Sequence, residues 1–84
     1  MDRDAIRAMV QEILRDIVDD DSVVITDATV AEDVVDWDSS NHVRMIVAIE
    51  EALNIRFETD EITRPESVGE LLDLIDAKLA SRQA

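Results

Sequence analysis

The sequence predicts an all-α fold, a small four-helix bundle of three long helices and one short helix, with a long loop between the first and second. Three observations predict it. Three stretches place apolar residues three and four apart, the spacing of one buried helix face. Residues 22–38 carry no sustained period and no Asn-Gly or Asp-Gly hairpin turn. Pro65, followed by Ser67 and Glu70 in capping-box spacing, stops one element and opens another. Three apolar faces that cannot be buried alone must pack on one another. At 84 residues the chain is read as a single domain, 1–84.

The first helix shows Ile6, Met9, Val10, Ile13, Leu14 and Ile17 on one side, with Asp2, Arg3, Arg7, Glu12, Arg15 and Asp16 on the other. Asp19-Asp20-Asp21-Ser22 ends it, because clustered aspartates favour turns over helix interiors. Val23, Val24, Ile25, Val30, Val34, Val35 and Trp37 are then scattered among Thr and Asp. A hairpin and a long ordered loop compete there, and the missing turn signal favours the loop. A second helix starts at Ser39, with Asp38 placed to cap it and Asn54 to close it. Its apolar residues are Val43, Ile46, Val47, Ile49 and Leu53, widened by Met45 and Ala52. Ile55 and Phe57 anchor a crossing segment, and residues 59–62 form a short helical turn. Val68, Leu71, Leu72, Ile75 and Leu79 stripe the last helix, which carries Gly69 in its first turn, and residues 81–84 are expected to fray. The expected core is Ile6, Val10, Ile13, Leu14, Ile17, Ile46, Ile49, Leu53, Phe57, Val68, Leu71, Leu72 and Ile75. Whether the first two long helices run parallel or antiparallel is left open.

Composition narrows the function classes. Twenty-one acidic residues against eight basic ones give a net charge of −13. Such a chain repels phosphate backbones, which argues against nucleic-acid binding. It is steered instead toward partners with basic patches, unless the charge serves only solubility. The absence of cysteine excludes disulfides and thiolate zinc sites, and a single histidine excludes a polyhistidine metal site. No apolar run approaches the ~20 residues that span a bilayer. The charged start, Met1-Asp2-Arg3-Asp4, is unlike a secretory signal, so a soluble cytoplasmic monomer is expected.

Few residues offer chemistry. Ser39 and His42 lie three apart on one helix, about 5–6 Å at Cβ, so a dyad can be drawn. It has no evident oxyanion hole and no wall against water, and no enzyme activity is expected. His42 reads instead as an exposed helix residue that touches a partner. An EF-hand loop starting at Asp19 would need glycine and glutamate where Val24 and Val30 stand, so no metal is expected. What remains is Asp38-Ser39-Ser40 at a helix start, where free amides and the helix dipole favour a phosphate. Alone, that is also the commonest capping chemistry.

The stretch from Trp37 to Glu51, WDSSNHVRMIVAIEE, resembles the acyl carrier protein signature. Asp38-Ser39 stands for its Asp-Ser, Val43 for the apolar residue four positions on, and Ala48-Ile49-Glu50-Glu51 for its Ala-Leu-Glu-Glu-like segment. Ile55 and Phe57 match the apolar pair after the helix. Ser67-Val68-Gly69-Glu70-Leu71 is similar to its Thr-Val-Gly-Asp-Leu opening of the last helix. The resemblance covers nearly the whole chain. It implies a carrier without catalysis of its own, bearing covalent 4'-phosphopantetheine on Ser39, placed there from coenzyme A by a phosphopantetheinyl transferase. The absent cysteine fits, since the arm brings its own thiol. The resemblance also implies acyl-loading and acyl-processing partners with basic docking patches. Asp38, Glu50 and Glu51 would meet those patches, and Val43 and Met45 would add apolar contact. Ser40 replaces a leucine, and Asn41 and Arg44 stand where acidic residues are frequent. Those departures at the docking helix imply a specialised carrier in lipid or secondary-metabolite synthesis, with dedicated partners. The alternatives are an aminoacyl or peptidyl carrier, and an unmodified acidic helical interaction protein.

Overall fold

In a computed structural model, which describes residues 2–83, every regular element is helical. Helix α1, Arg3–Val18, starts because the Asp2 carboxylate accepts the Ala5 amide hydrogen at 2.8 Å. It stops where Asp19 turns left-handed, at φ 55°. Its buried stripe is Ile6, Val10, Leu14 and Val18. Ile13 and Ile17, expected in the core, are only half-buried. They flank a stripe that advances by fours, so the helix turns them toward its edge.

Residues 19–38 form the loop and contain one 3₁₀ turn, Ala31–Asp33. Ile25 and Trp37 plug this loop into the core. Its backbone is held from α1: Gln11 Oε1 accepts the Ile25 amide hydrogen at 3.0 Å, and Arg15 Nε donates to the Val23 carbonyl at 2.7 Å. Helix α2, Ser39–Leu53, and the short helix α3, Thr59–Thr63, follow. Helix α4, Val68–Gln83, opens with the Glu70 amide donating to Ser67 Oγ at 3.2 Å. Helix α4 reaches Gln83, and Ala84, the last of the residues 81–84 expected to fray, lies outside the described residues.

The loop and α4 meet through backbone. The amides of Val68 and Gly69 donate to the carbonyls of Thr29 and Asp27 at 2.8 and 2.9 Å. Arg3 crosses the same seam, reaching Asp27 at 3.1 Å, Asp73 at 2.8 Å and the Gly69 carbonyl at 3.0 Å. Arg7 joins Asp27 at 3.3 Å and Asp4 at 2.7 Å. Helix α1 packs mainly on α2 and also on α4. Met45, Ile46, Ile49, Val68, Leu71, Leu72 and Ile75 complete the centre with the α1 stripe. No helix among the described residues is long and apolar enough to cross a membrane.

Candidate functional site

The start of α2 is built by two turns of capping. Asp38 has extended backbone, and its Oδ1 accepts the Asn41 amide hydrogen at 2.9 Å. The Asp38 carbonyl accepts the His42 amide hydrogen at 2.8 Å. Asn41 folds back and donates from Nδ2 to the Asp36 carbonyl at 2.8 Å. Asp36 sits at φ 70°, so the chain turns sharply just before the helix. Ser39 is the first residue of α2 and is exposed, as are Asp38 and Ser40. The Ser39 hydroxyl therefore stands in solvent at the positive end of the helix dipole.

Beside it is a hollow of about 440 Å³, whose lining includes Trp37, Ser39, His42, Val43, Ile62 and Thr63. His42 is half-buried there and not the exposed partner contact expected from the sequence. Its Nδ1 accepts the Trp37 indole hydrogen at 3.1 Å, and its Nε2 lies 2.7 Å from the Ile62 carbonyl oxygen. The two rings stack with centroids 6.0 Å apart. Both imidazole nitrogens are thus occupied, and neither is available as a base for Ser39. The dyad has no structural basis. No group of three or more metal-ligating side chains occurs among the described residues.

The expected docking residues divide. Val43, Arg44 and Glu51 are exposed along α2. Met45, expected to offer apolar contact to a partner, is 0% exposed and belongs to the core. Glu50, expected to meet a basic patch, is half-buried, and its Oε2 accepts the Phe57 amide hydrogen at 2.8 Å. It pins the segment between α2 and α3. Val47, like Val43 part of the apolar spacing of α2, is 45% exposed one turn beyond Val43 at 48%. Apolar residues surround much of α2, so periodicity alone did not separate the buried side from the open one.

No family model matches the chain, and no curated protein matches it. Among solved structures it is similar to a holo acyl carrier protein from Geobacter metallireducens, determined by solution NMR. The two share 39% identity over 90% of this chain and 87% of that one, with a TM-score of 0.81. The chain belongs to the acyl carrier protein family. Acyl carrier proteins present groups to enzymes and do not transform them, so this chain is a carrier and not an enzyme. Sequence reasoning about this carrier missed the Trp37–His42–Ile62 contacts and the Glu50 tie. The lone Trp and the lone His, five residues apart across a helix start, were the available signal for the first. Nothing local marked the second.

Proposed function

We propose that Ser39 is the attachment point of 4'-phosphopantetheine, and that residues 1–84 act as one carrier domain for acyl thioesters. The observation that carries this reading is the exposed Ser39 hydroxyl, directly after the Asp38 cap, in a chain similar to a holo acyl carrier protein. In the attachment step the Ser39 oxygen bonds to the coenzyme A phosphorus that bears pantetheine. The bond from that phosphorus to the adenosine bisphosphate breaks, and the serine proton leaves to the transferase base. The residues present suit the group. The new phosphodiester sits at the positive end of α2, the hollow beside it offers Trp37, Val43 and Ile62 to an arm, and Asp38 Oδ1 is already engaged by Asn41. Once attached, the arm supplies the thiol that holds acyl groups.

Ser40, Val43, Arg44, Val47 and Glu51 form the docking face in this reading, with Asp38 at its rim and Asn41 supporting it from behind. Helix α2 holds only three charged residues, Arg44, Glu50 and Glu51, in a chain of net charge −13. Acidity elsewhere on the surface supports long-range steering toward basic partners, while this face is close to neutral. That contrast supports a specialised carrier of lipid or secondary-metabolite synthesis with dedicated partners. Intact mass tests the attachment. Incubation with coenzyme A and a broad-specificity phosphopantetheinyl transferase is expected to add one phosphopantetheine to the wild type and to Ser40→Ala, and none to Ser39→Ala. An unmodified wild type, or a modified Ser39→Ala, overturns the assignment.

A further inference from the structure

The His42 imidazole joins three separate pieces of chain around the hollow that Ser39 lines. Trp37 belongs to the loop, His42 to α2 and Ile62 to α3. The Trp37 indole nitrogen can only donate and the Ile62 carbonyl can only accept. One tautomer satisfies both, with Nδ1 bare and Nε2 carrying the hydrogen, at 3.1 and 2.7 Å. The indole is 9% exposed and stacked on the imidazole at an interplanar angle of 23°. Its ring is therefore held by packing and by one directed bond. Helix α3 has only five residues, too short to be stable by its own hydrogen bonds. Its orientation depends on ties to its neighbours, and the His42 bond is the tie on the side that faces Ser39.

We propose that His42 is a positioning residue for the modification of Ser39. It sets the loop on one flank of the serine and α3 on the other before any enzyme arrives. Ser39 itself is placed by α2 and the Asp38 cap, so His42 acts on the surface around the hydroxyl and not on the hydroxyl. Loss of this clasp leaves that surface to be ordered during docking, which weakens binding without slowing the attachment step. The inference rests on Ser39 being the attachment point.

Steady-state kinetics of phosphopantetheine transfer, with coenzyme A and a broad-specificity transferase acting on the whole chain, test it. His42→Ala and Trp37→Phe are expected to raise KM for the carrier about two- to tenfold, the factor to which the net contribution of one hydrogen bond converts. Their kcat is expected to stay within about twofold of the wild type on the same grounds. Trp37→Phe keeps an aromatic ring at that position and removes the donor, so it serves if His42→Ala does not fold. His42→Asn retains an acceptor for Trp37, and His42→Gln retains a donor that reaches Ile62. Each is expected to fall between His42→Ala and the wild type. Folded variants with wild-type KM and kcat overturn the proposal while leaving the attachment site intact, because a purely structural role lowers the melting temperature alone. A fall in kcat at constant KM also overturns it. A wild type that gains no mass overturns both readings together.

Discussion

Gly69 stands where a β-carbon has no room. A methyl group there would lie 2.9 Å from the Asp27 carbonyl oxygen and 3.2 Å from the Asp27 β-carbon. That oxygen is backbone, and it already accepts the Gly69 amide hydrogen. Alanine in a helix gains roughly 0.5–1 kcal/mol over glycine. The clash opposes this by forcing the loop away from α4, at a cost of about 1–3 kcal/mol. Gly69→Ala is therefore expected to lower the urea midpoint, and an unchanged or higher midpoint would show that helix propensity outweighs the contact. Glu50 makes a second residue-level test. Glu50→Gln keeps an oxygen for the Phe57 amide and is expected to be nearly neutral. Glu50→Ala strands a part-buried amide hydrogen and is expected to cost about 1–3 kcal/mol. Equal stability of the two variants would contradict the pinning role.

At the scale of the element, α3 is held also by one carboxylate, that of Glu61. Glu61 Oε1 accepts the Glu58 amide hydrogen at 2.7 Å and lies 2.6 Å from Lys78 Nζ. The Glu58 amide first, and then Lys78, hold its carboxyl below the usual glutamate range. A depressed acid stabilises the fold fully above its unfolded value, and that stability is lost as pH falls through the lower folded value. The advantage of wild type over Glu61→Gln is expected to be full at neutral pH and to shrink on acidification through the carboxylate range. Urea midpoints measured from about pH 7 to about pH 3 check this, and a constant difference would remove the charge from the explanation. Helix α2 makes a separate prediction. Arg44 projects from the docking face with no ion pair seen among the described residues. A transferase with a basic seat is expected to modify Arg44→Glu with a higher kcat/KM, most clearly at low salt. No change, or a decrease, would argue against docking through this face.

For the whole molecule, a small core works against a large like charge. Leu72 is fully buried among the helices, and Leu72→Ala is expected to cost roughly 2–5 kcal/mol. That is a large share of the 5–15 kcal/mol typical of a folded domain, and chemical denaturation measures it. The charge of −13 is confined within a radius of gyration of 11.9 Å. At about 10 mM ionic strength the screening length is near 30 Å, so the charges repel across the whole body. At about 150 mM it falls to roughly 8 Å. The melting temperature is expected to rise with salt over this range. A fall would show that the ion pairs of Arg3, Arg7 and Lys78 outweigh the general repulsion.

The sequence by itself determined the helices, their caps and the motif around Ser39. Those signals are local: Asp2, Asp38 and Ser67 each accept an amide hydrogen three residues on, a distance the chain sets alone. Only the tertiary structure decided the fates of the residues between the caps. It buried Met45 and exposed Val47, gave Glu50 to Phe57 and His42 to Trp37 and Ile62, and turned Arg3 from a solvated helix face into a clamp on Asp27 and Asp73. Several of these partners lie twenty or more residues away. Which side of a helix meets them depends on how elements stack, and spacing within one helix carries no record of that.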